Sequence, residues 1–218
     1  PHAGIKKIPA HWELRRLKHI ATIRPSNVDK KSHEGEQEVL LANYVDVYYN
    51  DQITTELELM KATASDGEIA KFSLLGGDII ITKDSESWDD IAVPAFVPET
   101  MEGVVCGYHL TLIRPNPRFI IGEFLYRTYQ SIGVQDQYHY NANGVTRYGL
   151  GSYWVNNGIV PTPPLEEQRE IADFINRKLQ TIKSMNGQFD QDIELLQEYR
   201  TALISAAVTG QIDVRGLA

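Results

Sequence analysis

Cysteine is nearly absent. The lone thiol, Cys106, has no second cysteine to pair with, so no internal disulfide can hold the fold, and a reducing cytoplasm is the compartment implied. Long apolar runs are missing too: none approaches the roughly 18 residues that would span a bilayer, which leaves no membrane segment. The start, Pro1-His2-Ala3-Gly4, has neither the apolar core of a signal peptide nor an initiator Met. It reads as a processed chain or an excised piece. Positive charge is in deficit, with 21 Lys and Arg against 29 Asp and Glu, a net charge of −8. A chain of that sign is poorly suited to coating nucleic acid non-specifically.

Catalytic signatures are also lacking. There is no glycine-rich phosphate loop of the Walker type, no GxGxxG after a strand and no HExxH, so hydrolase and nucleotide chemistry have no foothold. The six histidines, at 2, 11, 19, 33, 109 and 139, lack the paired spacing of a zinc site. No metal site is expected. Asn116-Pro117-Arg118-Phe119 is only loosely similar to the Asn-Pro-Pro-aromatic tetrapeptide that grips a flipped adenine in amino-methyltransferases. Its second proline and any accompanying cofactor-binding glycines are missing, so it reads as a turn.

What is present is ordinary globular material. The 218 residues are 42% hydrophobic, with 16 Gly and 10 Pro, enough for one large domain or a domain with an appendage. Charge is spread unevenly. Residues 1–33 hold 8 basic and 2 acidic side chains and 111–155 hold 4 and 2, whereas 34–110 hold 3 and 16 and 156–218 hold 6 and 9. Phosphate attraction fades beyond about 8 Å at physiological salt, so a nucleic-acid face would need those local positive stretches.

Asp78-Ile79-Ile80-Ile81-Thr82, after Gly76-Gly77, predicts a buried strand, and the β-branched run 104–113, closed by Pro115, predicts a second. Segments 39–41 and 45–48 give weaker strand signals. Over 119–132, Ile120, Phe124, Leu125, Thr128 and Ile132 fall at helical spacing and predict one amphipathic helix. From 135 to 152 the chain is rich in Gly, Asn and Tyr with no period, which predicts a long exposed loop, and such loops are uncommon unless they act.

The prolines of Pro161-Thr162-Pro163-Pro164 mark a boundary. Pro164 followed by Glu166, Glu167 and Glu170 predicts a helix start. An apolar stripe then runs through Ile171, Phe174, Ile175, Leu179, Ile182, Met185, Phe189, Ile193, Leu196, Leu203 and Ala207, with Asn186-Gly187 as a weak point and Gly210 as a stop. Asp192 breaks a seven-residue repeat while Ile193 keeps a 3.6 period, so the stripe fits a nearly straight antiparallel pairing. Its partner lies outside the globular domain, unless the helix packs wholly on its own body. The fold class is therefore α+β: a mixed domain over 1–160, then a helical region over 161–218.

The densest chemistry lies in 137–154. Gln137, Asn141 and Asn143 carry amides that match adenine edges, Arg147 can fork onto guanine, and Thr146 and Ser152 suit phosphate oxygens. Tyr138, His139, Tyr140, Tyr148, Tyr153 and Trp154 supply flat faces. No acidic residue interrupts the stretch. The same composition also fits a loop packed on its own domain, or a protein-binding surface, and residue types leave these readings open. Lys83 and Ser85, in the polar cluster 82–88, reach the same face or belong to a charged turn without a partner. Lys6, Lys7, Arg15, Arg16, Lys18 and Arg24 fit phosphate contacts or the solvated side of a helix whose apolar side is Trp12, Leu14 and Leu17.

Three segments together resemble one family. Ile8-Pro9-Ala10-His11-Trp12-Glu13, with Leu14 and Leu17, is similar to the Pro-x-x-Trp opening of a target-recognition domain. PPLEEQREIADF, residues 163–174, is similar to the proline-glutamine hallmark of the conserved region in type I restriction-modification specificity subunits. YRTALISAAVTGQIDVR, residues 199–215, resembles the end of that region, and the order and separation match along nearly the whole chain. The resemblance implies a non-catalytic subunit that reads half of a bipartite site in double-stranded DNA and holds methyltransferase subunits through its helical region. Adenine methylation would fall to that partner, with its S-adenosylmethionine, and cleavage to a further ATP-driven restriction subunit; this chain would bind neither cofactor.

Under that resemblance the DNA-binding set becomes Lys83, Ser85, Gln137, Tyr138, His139, Tyr140, Asn141, Asn143, Thr146, Arg147, Tyr148 and Ser152, led by Arg147 and Thr146. Ile182, Phe189, Ile193, Leu196 and Leu203 become the helix-pairing set. A complete member has two recognition domains and two helical regions, whereas one of each is present here. The resemblance thus implies a half-subunit that pairs antiparallel with another copy as a two-fold dimer, or half of a longer chain whose helix pairs with its twin. The rivals are a stand-alone DNA-binding regulator, for which no helix-turn-helix pattern is seen, and a protein-interaction module without nucleic acid.

Overall fold

The computed structural model describes Ile5, residues 7–213 and Arg215. The tetrapeptide start at 1–4, Lys6 of the basic segment and position 214 of the 199–215 motif lie outside the described residues, as do 216–218. The chain divides into two compact units, residues 1–172 and 173–218.

The first unit is organised around an antiparallel sheet in the order Ala21–Pro25, Leu110–Pro115, Ile79–Thr82, Pro94–Phe96. Ile79, Ile80 and Ile81 are all fully buried, because successive side chains alternate between the two faces of a strand and both faces are covered. Ile79, Ile81 and Ile113 enter one apolar cluster, while Ile80, Leu110 and Leu112 enter another. A strand so covered demands an uninterrupted apolar run, which is why its signal is plain.

The run 104–113 is two strands rather than one. Val104–Cys106 joins Gln37–Ala42 in parallel, with Met60–Ala64 antiparallel on the other side of Gln37–Ala42, and only Leu110–Pro115 enters the main sheet. The chain turns between them at Gly107, Tyr108 and His109. A Cβ at Gly107 would lie 2.8 Å from the Ala42 carbonyl oxygen, and His109 adopts a left-handed φ of 72°.

Three further expectations change. Residues 45–48 lie in a helix, Tyr44–Tyr49, whose capping box joins Asn43 and Asp46; the Asn43 amide donates to Asp46 Oδ2 at 2.7 Å. That cap outweighs the strand preference of valine and tyrosine. The stretch 119–132 contains the helix Gly122–Tyr129 and then restarts as Ile132–His139, with the Ser131 hydroxyl donating to the Thr128 carbonyl at 2.7 Å. The basic N-terminal segment is no helix: Glu13–Arg16 is a strand paired antiparallel with Ile159–Thr162, followed by a 3-10 turn, Leu17–His19.

One helix, Leu165–Val208, follows Pro164 with Glu166 and Glu167 in its first turn. It runs unbroken through Asn186-Gly187, so the weak point costs propensity without ending the helix. Gln168 and Ala172 are buried in the first unit, which places the division after Ala172 instead of at the proline run. Over 173–208 the helix extends about 54 Å at 1.5 Å per residue. Ile182, Phe189, Ile193, Leu196 and Leu203 are 46–65% exposed along it. No helix among the described residues is long and apolar enough to cross a membrane.

Candidate nucleic-acid interface

The stretch 137–154 is not a loop. It closes the helix Ile132–His139, forms a hairpin, and opens the helix Ser152–Asn157. In the hairpin, Asn143–Gly144 pairs antiparallel with Tyr148–Gly149, which pairs in turn with Asp84–Ser85. The two polar clusters noted in the sequence are thereby joined, with Tyr148 opposite Ser85 and Gly149 opposite Asp84. At the tip, Val145 is 92% exposed, and Thr146 and Arg147 are exposed beside it. Gly144 permits the turn: a Cβ there would collide with the Arg147 carbonyl.

Beneath the tip lies a charged cluster. Arg147 donates Nε and Nη2 to Asp84 Oδ1 at 3.1 and 2.7 Å, and His109 Nδ1 lies 2.6 Å from the same oxygen. The Asp84 side chain is 19% exposed and that of Arg147 is 54% exposed. The strand segment carrying Asp84 is tied to two strained positions. Ala92, at φ 62°, donates its amide to the Thr82 carbonyl, and His109, at φ 72°, accepts from the Lys83 amide. Left-handed non-glycine residues cost free energy and persist only where their surroundings over-determine them, often at functional sites.

The helix Tyr44–Tyr49 flanks this cluster, and sequence reasoning missed it. The Tyr44 and Ser85 hydroxyls are 3.0 Å apart, the Tyr48 hydroxyl donates to Asp90 at 2.9 Å, and the Tyr44 and Tyr48 rings stack at 5.6 Å. Burial pushes the Tyr44 phenol above its ordinary range, and the bond to the Asp90 carboxylate does the same for Tyr48. Tyr49 is 79% exposed. These tyrosines, Val45, Asp84, Ser85, Glu86, Asp90 and Arg147 line a cleft of about 340 Å³. The signal that would have found the helix is Asn43 followed three residues later by Asp46.

The other predicted site residues separate into scaffold and surface. Tyr138 is fully buried, stacked on Tyr129 with rings 5.4 Å apart and hydroxyls 2.9 Å apart; burial pushes its phenol up to about 12, and it presents no face to a ligand. Gln137 accepts the Ile159 amide at 2.8 Å and donates to the Ile159 carbonyl at 3.0 Å, so its amide is spent on the backbone. Asn141 donates to the Gln137 carbonyl, and His139 Nε2 donates to that of Ile91. Tyr148 packs half-buried against the core. Lys83 is folded inward, its Nζ donating to the Ser26 carbonyl at 2.8 Å over the Tyr108 ring, and burial lowers its pKa. Ser85 is buried. Tyr140, Asn143, Thr146, Arg147 and Ser152 are exposed. Among the described residues, no group of three or more His, Cys, Asp or Glu side chains could hold a metal ion.

A second polar junction ties the chain ends of the first unit together. The Trp12 indole donates to Glu167 at 3.0 Å and His11 Nε2 lies 2.9 Å from the same carboxylate. Fully buried Gln168 donates to the Phe119 and Pro163 carbonyls at 3.0 and 2.8 Å and accepts the Ile121 amide at 2.9 Å.

Residues 9–195 match the family model of the type I restriction modification DNA specificity domain. A type I restriction enzyme MjaX specificity subunit of Methanocaldococcus jannaschii is 24% identical over 206 residues, covering 94% of this chain and 47% of that protein. The EcoBI specificity subunit of Escherichia coli is 33% identical over 72 residues, 33% of this chain and 15% of its own. Among solved structures, one concerned with complex assembly and conformational transition of the type I R-M system aligns with a TM-score of 0.67 at 17% identity, over 95% of this chain and 48% of that one. The HsdS subunit from Thermoanaerobacter tengcongensis aligns at 0.57 and 18% identity, over 84% and 41%. The chain spans about half the length of the M. jannaschii relative and of the first of these structures.

Proposed function

The chain belongs to the type I restriction modification DNA specificity domain family, and from that premise we propose that it is a non-catalytic reader of half of a bipartite DNA site. In this reading it acts in the cytoplasm and positions methyltransferase subunits, and through them a restriction subunit, on the duplex. The observation that carries the proposal is the Asn143–Gly149 hairpin tip, where Val145, Thr146 and Arg147 stand exposed in the turn ahead of Tyr148–Gly149, the strand that pairs with Asp84–Ser85. A β-ribbon is one of the elements a major groove admits. Tyr140, Asn143 and Ser152 extend the surface, whereas Gln137, Tyr138, His139, Asn141, Tyr148, Lys83 and Ser85 support it from within.

The helical unit supplies the spacing. Its exposed stripe pairs antiparallel with an equivalent helix, from a second copy or from the remainder of a longer chain, and so sets two readers a fixed distance apart. A pair of identical readers would recognise an inverted repeat.

Co-expression with its modification subunits, followed by methylation mapping of the host DNA, tests this directly. The expected result is a bipartite motif of fixed spacing, relaxed in one half by Arg147→Ala. Methylation without a motif, or an unchanged motif in the variant together with undisturbed protection of DNA, would remove the proposed reader.

A further inference from the structure

Arg147 meets Asp84 through one edge only. Its Nε and Nη2 both bond to a single oxygen, Oδ1, and Nη1 makes no hydrogen bond among the described residues. A guanidinium carries five N–H groups in a fixed plane. Nη2 also lies 3.3 Å from His109 Nδ1, but that nitrogen donates its own proton to Asp84 and has no lone pair to offer, so with the Nε side engaged the Nη1–Nη2 end keeps two parallel N–H groups directed away from the carboxylate. Building on the DNA-reading function proposed above, we infer that Asp84 is a positioning residue that holds Arg147 end-on for the paired acceptors, N7 and O6, of one guanine.

Two features favour a base over a phosphate. Asp84 offsets the charge of Arg147, and Glu86 and Asp90 line the same cleft, so an approaching phosphate meets carboxylates at close range. A guanine edge carries only the partial charges of N7 and O6 and meets far weaker repulsion. Adenine offers N7 beside the N6 amino donor, which would oppose the second N–H, so the arrangement discriminates between purines.

Asp84 can orient Arg147 because it is itself held. His109 Nδ1 lies 2.6 Å from it, the His109 carbonyl fixes the neighbouring Lys83 amide at 3.0 Å, and Gly149 pairs with it across the sheet. A long, half-exposed arginine otherwise loses rotamer freedom on binding. One already docked on a fixed carboxylate loses less, and its contact gains selectivity.

The test uses the assembled methyltransferase complex and duplexes carrying its mapped motif, with each guanine replaced singly by 7-deazaguanine, which lacks the N7 acceptor. In the unaltered complex one position should lower kcat/KM by roughly tenfold. Arg147→Ala should abolish sensitivity at that position alone. Asp84→Asn should reduce it several-fold, leave the other guanines as selective as before, and add nothing when combined with Arg147→Ala. A purely structural role for Asp84 would instead lower kcat/KM on all duplexes alike.

Unaltered selectivity in Asp84→Asn, or losses spread evenly over the motif, would overturn the positioning role while leaving DNA reading intact. Absence of any motif for the unaltered complex would overturn the function on which it rests.

Discussion

Trp12 and Glu167, 155 residues apart in the chain, meet through an indole N–H donated to the carboxylate at 3.0 Å, and His11 approaches the other oxygen at 2.9 Å. The two sequence segments that carry the family resemblance at either end of the first unit are therefore two sides of one joint. Between them, Glu13–Arg16 pairs with Ile159–Thr162, so the joint continues a backbone ladder into side chains. The residues of these motifs close the fold and set where the long helix begins.

Gln168 is the inner part of that joint, with its amide satisfying three backbone groups at Ile121, Phe119 and Pro163. Gln168→Leu should destabilise the first unit by about 1–3 kcal/mol for each group left buried and unpaired. Urea unfolding followed by tryptophan fluorescence would measure the loss. A variant as stable as the parent would mean that water replaces the amide.

Glu167 gives the joint a pH dependence. Hydrogen bonds from His11 and then Trp12 hold its carboxyl below the usual carboxylate range. A group depressed on folding contributes stability above its unfolded value and loses that contribution as pH falls through the folded one. The unaltered chain should therefore exceed Glu167→Gln in stability at pH 7, with the gap closing on acidification below about pH 4. A gap that stays constant with pH would assign the effect to shape instead of charge.

How much of this was legible depended on how long each pattern ran. The strand Ile79–Thr82 was readable because burial on both faces demands an apolar run, and the helix Leu165–Val208 because its period repeats over many turns. The hairpin was not readable: strands of two residues, Asn143–Gly144 and Tyr148–Gly149, are too short to show alternation, and their partner Asp84–Ser85 lies some sixty positions away. Residue type also hid orientation. Tyr138 and Tyr140 look alike in sequence, yet one is fully buried on Tyr129 and the other is 73% exposed. That difference depends on Tyr129, which lies in a separate helix. Residue type leaves the amides of Gln137 and Asn141 open between bases and their own domain, because nothing local announces the backbone groups they satisfy.

Gly144 provides a way to disturb the hairpin without touching an exposed contact. A Cβ at this position would collide with the Arg147 carbonyl, so Gly144→Ala must shift the turn that carries Arg147. Gly144 is itself exposed, so the cost of the substitution falls on the hairpin turn, and the far-ultraviolet circular dichroism of the first unit's sheets should persist. Sequence selectivity in the assembled complex should fall toward that of Arg147→Ala. Selectivity retained in full would show that the tip does not read bases.

The helical stripe makes the remaining prediction. Leu196 and Leu203 are 65% and 46% exposed within the chain, one full heptad apart, so both fall on one side of the helix. Burying such side chains against an equivalent helix stabilises each by about 1.5–3 kcal/mol, and an aspartate placed there would have to be desolvated without a partner. Where two copies pair through this stripe, Leu196→Asp should therefore convert the dimer to monomer in sedimentation while the far-ultraviolet circular dichroism of the first unit's sheets persists. Leu203→Asp should act alike, and the exposed polar position Gln191→Asp should not. If the unaltered chain already sediments as a monomer at tens of micromolar, the stripe does not pair two copies of this sequence, and its partner is the helix of another half.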